Sequence, residues 1–289
     1  MLNYGYKTMN KSTPPNNVKR FSSITPLAFR IYSSTFALII SLIFNALASL
    51  SVFNGISTGE VSDLYPSLFT PSGSTFVIWG FIYTALIYFS VNQLSTISTL
   101  EYATHRERFF KLHGWYFLIS MLNAMWIVLW QFQIIVGSLI IIIAMLYALI
   151  QIVLLLRKQS FFTRLPFSLY AAWITVATIA NLSIYLTSTD YVASVTIAWN
   201  QPGAVLQTVA ILCIVTMVAA LWIFRERDYV VGAVVAWSLY GIYLRHAIEL
   251  DRAYISVLET ALFLTIAIGV WTTFVWFYHR RFTLSFFRK

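Results

Sequence analysis

The sequence predicts an all-α protein, a polytopic bundle of membrane-spanning helices. Of its 289 residues, 59% are hydrophobic and only 10% are charged, and the mean hydropathy is +0.76. Soluble domains carry about 25% charged residues, so too little charge is present to cover a soluble surface. Glycine and proline number only 11 and 7, which favours helices over a barrel of short alternating strands.

Eight stretches are apolar enough to span a bilayer, which requires about 20 mainly apolar residues per helix. The predicted spans cover residues 34–53, 75–93, 113–132, 134–156, 167–186, 203–224, 230–244 and 255–278. The third and fourth share one uncharged stretch of about twice a membrane thickness, which must therefore fold back on itself. The predicted break lies at Gln131-Phe132-Gln133.

The basic residues follow the alternation that membrane topology requires. With eight spans and the N-terminus inside, every Lys and Arg except Arg245 and Arg252 falls on a cytoplasmic segment. Cytoplasmic loops are enriched in Lys and Arg, so the pattern predicts that both termini are cytoplasmic. The net charge of +9 is thereby explained by topology, and no nucleic-acid partner is expected. The lipid bilayer is the expected partner.

The spans divide the chain into four predicted regions. These are a basic cytoplasmic tail (1–33), a five-helix bundle (34–186), a three-helix membrane extension (187–278) and a second basic tail (279–289). The first span follows a polar, basic segment and is long enough to cross the membrane, which is typical of a retained signal anchor.

The predicted loop between the first two spans, residues 54–74, has a stiff and aromatic composition. It carries Tyr65, Pro66, Phe69 and Pro71 but no Lys or Arg. Such a loop can fold over the bundle as a lid. The alternative is ordinary anchoring at the interface, where Tyr and Trp collect, and composition alone favours that alternative.

Three spans carry aromatic and amide side chains at helical spacing. Residues three and four apart lie on one face of a helix. An amide that faced lipid would leave its hydrogen bonds unmade, so the faces that carry Asn123 and Asn181 should turn inward, together with the tryptophans on them. The stripes are Trp79 and Tyr83 in the second span, Asn123, Trp126 and Trp130 in the third, and Trp173, Ala177 and Asn181 in the fifth.

The stripes have two interpretations. Asn123 and Asn181 can simply join neighbouring helices while the tryptophans fill the core, since interhelical polar contacts worth roughly 0.6 kcal/mol are common in membranes. Alternatively, the stripes line a pocket for a flat apolar ligand, and Ala177 leaves space for a ring. Similar stripes on three helices favour the pocket.

The same residues carry a resemblance to a known family. Residues 71–83 (PSGSTFVIWGFIY) resemble the second-helix signature of the translocator protein family, also called tryptophan-rich sensory proteins (TspO/MBR). Residues 122–126 (LNAMW) are similar to its third helix, and residues 170–173 (YAAW) with Asn181 to its fifth. The resemblance runs in order over about residues 34–186.

The resemblance implies a five-helix bundle whose pocket binds porphyrins and other hydrophobic ligands. A porphyrin or heme is then a ligand, and no cofactor is obligatory. A loop containing Tyr65, Phe69 and Pro71 would close over the pocket. By position, the implied pocket residues are Trp79, Tyr83, Asn123, Trp126, Trp130, Trp173, Ala177 and Asn181. The implied roles are binding, transport or sensing of such a ligand as a receptor. The expected location is a bacterial-type plasma (inner) membrane, and a homodimer is left open.

Two other functions are left open, a secondary transporter of a small solute and a non-catalytic assembly or structural subunit. A transporter would need inward ionisable residues at mid-membrane, and the first five spans show none. No motif indicates an enzyme. His246, Glu249 and Asp251 share a short loop with Arg245 and Arg252, which predicts a solvated, mutually paired loop rather than a metal site.

Overall fold

The computed structural model describes residues 25–65, 67–97, 106–188 and 203–286. Most of the predicted N-terminal tail, the end of the C-terminal tail and Pro66 lie outside these ranges. Within them the regular elements are all helices, as predicted. The helices are α1 (Pro26–Ser49), α2 (Thr58–Asp63), α3 (Ile78–Ser95), α4 (Arg106–Gln131), α5 (Ile135–Leu155), α6 (Phe161–Ser188), α7 (Ala204–Glu226), α8 (Tyr229–Leu244) and α9 (Ile255–Phe286).

All of these helices except the short α2 are long and apolar enough to cross a membrane, once the turns that continue α3 and α8 are counted with them. This confirms the prediction of eight spans. A 3₁₀ turn (Gly73–Val77) leads into α3, and a π-helical turn (Arg245–Glu249) extends α8. The side on which the termini lie stays a prediction from the basic residues.

The helix boundaries confirm one predicted position and correct another. The predicted break is confirmed, because α4 ends at Gln131 and Gln133 adopts a left-handed conformation with φ of 57°. α1 begins earlier than predicted, since the Thr25 hydroxyl accepts a bond of 3.2 Å from the Ala28 amide and Pro26 follows it. Such a cap and an N-terminal proline start a helix irrespective of hydropathy.

Two packed units share the chain. In the first, α4 lies between α1 and α5, while α6 packs on α5 and α3. Its core contains Tyr116, Ile142 and Phe167. In the second, α8 packs on α9 and α7, and the same helix joins the extension to α6. Outside these two cores, many large apolar side chains are exposed on the helix surfaces, as expected for a surface that contacts lipid.

The described residues of the loop between α1 and α3 (50–65 and 67–77) fold over one end of the bundle and are called the lid segment below. α2 lies within it and begins with a capping box, in which the Ser57 amide donates to Glu60 Oε2 (2.6 Å) and Ser57 Oγ accepts from the Glu60 amide. These bonds hold the pKa of the Glu60 carboxyl below its usual 4.5. The end of the bundle under this segment is called the lid end, and the end at the α5–α6 turn is called the opposite end.

Candidate functional site

Four rings from α3 and α4 form a continuous stack at the lid end. Trp79 stacks on Tyr83 with ring centroids 5.3 Å apart and on Trp126 at 6.3 Å. Trp126 in turn stacks on Trp130 at 5.7 Å, with the ring planes 22° apart. Offset stacking of this kind is a favoured aromatic arrangement. The spacing of three and four residues along each helix places these rings on one line.

α6 meets this stack edge-on. The Trp173 ring lies 6.3 Å from Trp79 at an interplanar angle of 85°, and Tyr170 lies 5.7 Å from Trp79 at 72°. Phe76, at the entry to α3, packs against Trp173 at 5.8 Å. The aromatic stripes of three helices therefore converge on Trp79. These seven rings, from Phe76, Trp79, Tyr83, Trp126, Trp130, Tyr170 and Trp173, are called the aromatic cleft.

A cavity of about 40 Å³ lies between the aromatic cleft and the lid segment. This volume exceeds the roughly 10–15 Å³ that one water molecule needs, but it is far too small for a macrocycle. The indole rings themselves fill the cleft, so a large ligand would have to displace them. The predicted site residues that line the cavity are Trp79, Trp126, Trp130, Trp173, Ala177, Asn181 and the lid residue Pro71.

A wider groove of about 470 Å³ adjoins this cavity between α1 and α3. The two spaces share Thr58, Phe76, Trp79 and Trp126 as common walls, so moving one indole would join them. The groove alone has the size of ordinary ligand pockets, about 300–1,000 Å³. Its lining includes the predicted residue Tyr83, which does not line the smaller cavity.

Asn123 is buried and turned inward, where it joins α4 to α1. Its Oδ1 accepts bonds from Ser41 Oγ and from Asn45 Nδ2, both 2.6 Å long. It lines neither the cavity nor the groove. Sequence reasoning missed Ser41 and Asn45, although two polar residues four apart in an apolar span are a readable signal.

Asn181 is also buried, and it lines the cavity. Its amide exchanges hydrogen bonds with Ser138 Oγ of α5, at 3.2 and 3.3 Å. Contacts between helices therefore engage both predicted asparagines. The interpretation as interhelical links explains Asn181 and the Asn123 carbonyl oxygen, whereas Asn123 Nδ2 is buried with no hydrogen-bond partner in the described chain.

Several polar atoms of the cleft are buried without a hydrogen-bond partner in the described chain. These are the Tyr83 hydroxyl, the indole N–H groups of Trp126 and Trp173, and Thr70 Oγ1. Buried polar groups in native proteins are nearly always bonded, and an indole nitrogen can only donate. Trp130 meets this rule, because its N–H donates to the Thr58 carbonyl at 3.1 Å. The other four polar atoms depart from this rule within the described chain.

The three predicted lid residues have different positions. Pro71 faces the cavity. The Tyr65 hydroxyl donates to Gln133 Oε1 at 3.1 Å, at the α4–α5 break. Phe69 is buried in the core of the three-helix extension, together with Val176 of α6. Tyr65 and Phe69 therefore hold the lid segment from outside the cavity.

The opposite end contains a different kind of polar cluster. His113 lies within α4, where its Nδ1 is 2.8 Å from Ser34 Oγ and its Nε2 is 3.4 Å from Gln93 Oε1. One helix turn away, the Tyr116 hydroxyl contacts Ser90 Oγ at 2.9 Å. Sequence reasoning singled out no role for this cluster, because its members come from three separate spans.

A buried ion pair joins α6 to the start of α8 at the same end. Arg164 lies 3.2 Å from Asp228, and the Ser168 hydroxyl donates to the same carboxylate at 2.5 Å. The Asp228 charge is thereby neutralised and bonded, which a buried carboxylate requires. The contact fixes the five-helix bundle to the extension.

The prediction of a solvated loop after α8 was wrong for two residues. Arg245 and His246 are buried in the π-helical turn, because the lid segment covers it. His246 Nε2 donates to the Leu68 carbonyl at 2.9 Å, and Arg245 lies 3.3 Å from Asp63 and 3.7 Å from Glu249. Within the described ranges, no three His, Cys, Asp or Glu side chains are grouped as metal ligands.

A comparison with known protein families agrees with this helical membrane fold. The sequence profile of the family described as TSPO-like protein matches residues 31–274. The chain belongs to the TSPO-like protein family. It is thus an integral, multi-pass membrane protein of that family. The match continues past residue 186, so the family profile also covers most of the extension of this TSPO-like protein. No curated protein and no solved structure matches the chain.

Proposed function

We propose that this TSPO-like protein binds a flat hydrophobic ligand, such as a porphyrin, in the aromatic cleft. The observation that carries the proposal is the four-ring stack bordered by buried donors without partners. Aromatic faces stack on a planar ligand, and a few polar groups in an apolar site fix its orientation. Sensing or transport of the ligand would build on this binding step.

The lining of the cavity indicates which ligand chemistry fits. Trp126, Trp173 and Tyr83 can each donate to an acceptor on the ligand. The residues that line the cavity and the groove include no His, Cys or Met to coordinate iron, and the hydroxyl of Tyr83, the one phenol in that lining, serves as a donor to the ligand. Binding should therefore depend on the macrocycle and its acceptors, so that iron-free protoporphyrin binds about as tightly as heme.

Titration with protoporphyrin IX tests the proposal. Binding should quench tryptophan fluorescence and shift the porphyrin absorbance, because the ring would lie against the indoles. Trp126→Ala and Trp173→Ala should each weaken binding by about tenfold or more, since each removes a stacking surface and a donor. Circular dichroism checks that each variant keeps its helices.

Trp115→Ala is the matched control for this titration. Trp115 belongs to the same helix as Trp126, but its ring packs on Tyr147, away from the cleft. Its loss should leave the dissociation constant unchanged. If Trp126→Ala and Trp173→Ala bind as tightly as Trp115→Ala, the site is elsewhere. If the unaltered protein does not bind protoporphyrin, the ligand class is wrong.

The groove between α1 and α3 offers a second test of the same site. A side chain at Gly80 would meet open space, because no atom lies within 4 Å of a Cβ added there. Ala46 stands on the opposing wall. The double variant Ala46→Leu/Gly80→Leu should narrow the groove and slow protoporphyrin association by about tenfold, without loss of stability, because leucine favours helix over glycine.

Gly269→Leu provides the control for the groove test. Gly269 also lies in a membrane helix, α9, with open space around an added Cβ, and it is remote from the cleft. Stopped-flow fluorescence should show unchanged association for this variant. An unchanged rate in the double variant would show that the ligand does not use the groove.

A further inference from the structure

We infer that helix α8 of the extension clamps the lid segment and thereby controls access to the aromatic cleft. The inference rests on the proposed function only for the ligand, since the clamp itself is a contact between two parts of the chain. Four polar contacts and one buried ring join α8 and its π-helical turn to the stretch from Asp63 to Thr75.

Two of these contacts bind the backbone of the lid segment directly. The Ser72 amide donates to the Gly241 carbonyl at 3.0 Å. The Trp237 indole N–H donates to the Thr75 carbonyl, also at 3.0 Å. Ser72 directly precedes the 3₁₀ turn that leads into α3 and Thr75 lies within it, so these bonds fix the chain at the start of that turn.

The π-helical turn after α8 adds two contacts at the other end of this stretch. His246 donates to the Leu68 carbonyl, and Arg245 pairs with Asp63. Directly after Leu68, the Phe69 ring is inserted among the apolar side chains of the extension. A buried ring of this size makes the contact strong, because aromatic side chains remove large apolar areas from their surroundings.

The clamped stretch forms one wall of the cavity. Thr70, Pro71 and Phe76 line the cavity, and they lie between or next to the clamped residues. The first part of the lid segment is held separately, on α4, where Gln131 Nε2 donates to the Ile56 carbonyl at 2.8 Å and Trp130 to Thr58. Opening the wall over the cavity therefore requires release from α8.

At Gly241, α8 lies directly against the lid segment. A Cβ added there would lie 2.1 Å from Thr75 Oγ1 and 2.9 Å from Thr75 Cβ. Because the short Thr75 side chain cannot move away by rotation alone, Gly241→Ala must push the lid segment off α8. Gly232 in the same helix has an equivalent contact, 2.1 Å from Thr272 Oγ1 of α9, which does not involve the lid segment.

A cysteine in the buried part of the lid segment measures its release. Ser67 is buried and lies in the clamped stretch. Ser67→Cys is introduced together with Cys213→Ser, because Cys213 is exposed. The full-length protein in lipid nanodiscs is then treated with a maleimide. Gly241→Ala should raise the labelling rate at least about tenfold, whereas Gly232→Ala should leave it near the starting rate.

A milder pair of variants keeps the test decisive if Gly241→Ala does not fold. Trp237→Phe removes the donor to Thr75 and keeps an aromatic ring at this position. Trp271→Phe removes an equivalent bond of 3.0 Å to the Ala220 carbonyl, within the extension. Trp237→Phe should raise labelling about three- to tenfold, the effect of losing one hydrogen bond, and Trp271→Phe should not.

Protoporphyrin dissociation is measured on the same variants without the added cysteine. We expect Gly241→Ala and Trp237→Phe to release the ligand faster by factors similar to those for labelling. Equal labelling rates in the lid variants and their controls would overturn the clamp, whatever the ligand data show. Faster labelling together with no protoporphyrin binding to any protein would support the clamp and reject the proposed ligand.

Discussion

The two ends of the five-helix bundle differ in whether their buried polar groups have hydrogen-bond partners. At the opposite end, His113 and Tyr116 have partners on neighbouring helices. At the lid end, the Tyr83 hydroxyl and the N–H groups of Trp126 and Trp173 are buried with none in the described chain. Buried polar groups are therefore paired at the opposite end and left without partners at the lid end. The ligand site proposed above accounts for this difference.

The free-energy cost of a buried donor without a partner makes this difference informative. A buried donor without a partner costs about 1–3 kcal/mol, whereas a bonded one contributes about 0.5–1.5 kcal/mol. The protein tolerates this penalty at several neighbouring positions of the lid end. Clusters of such groups are expected where a bound molecule supplies the missing acceptors.

The largest effect on stability is expected for the paired end. His113→Leu removes the imidazole between Ser34 and Gln93 and leaves buried polar atoms unpaired. The free energy of unfolding should fall by about 1–3 kcal/mol, measured by thermal unfolding in detergent. Protoporphyrin affinity should not change. A large loss of affinity with unchanged stability would reverse the assignment of the two ends.

We expect effects of intermediate size when two tryptophans of α4 are replaced, one acting on stability and the other on ligand affinity. Trp130→Phe loses the bond to the Thr58 carbonyl and should destabilise the protein by about 1 kcal/mol. Trp126→Phe loses no bond in the free protein, so its stability should change less. Its ligand affinity should instead fall about three- to tenfold. Paired unfolding and titration curves check both statements, and similar profiles for the two variants would contradict them.

The smallest effect is expected for a single hydroxyl. Tyr83→Phe removes a buried hydroxyl without a partner, so stability should stay the same or rise by up to about 1 kcal/mol. Tyr116→Phe removes the contacts to Ser90 and to the Leu86 carbonyl and should destabilise by about that amount. Melting temperatures of the two variants, measured side by side, should move in opposite directions or differ clearly. If the melting temperature fell equally for Tyr83→Phe and Tyr116→Phe, the buried polar groups of the lid end would not differ from those of the opposite end.

Much of the fold could be predicted from the sequence. Hydropathy and length gave eight spans, and the polar residues Gln131 and Gln133 marked the turn between α4 and α5. Helical spacing placed Trp126 and Trp173 on inward faces, because a stripe with Asn123 or Asn181 must turn away from lipid. These features depend on local periodicity, which the sequence displays directly.

The attachment of the lid segment could not be predicted in the same way. Gly241 and Trp237 look like ordinary residues of a membrane helix, and their partners lie far away in the sequence. His246 was expected in solvent, because polar loop residues usually are, but the lid segment covers it. The size of the cavity depends on the rotamers of several large rings, which no sequence pattern specifies.

The ring stack has an optical consequence. Transition dipoles of indoles held as close as those of Trp79, Trp126 and Trp130, with centroids 5.7 and 6.3 Å apart, interact with each other when light is absorbed. The protein should therefore show a split signal of paired sign in the ultraviolet circular dichroism of its tryptophans. That signal would vanish when the indoles separate, giving an internal spectroscopic gauge of cleft opening that needs no added dye.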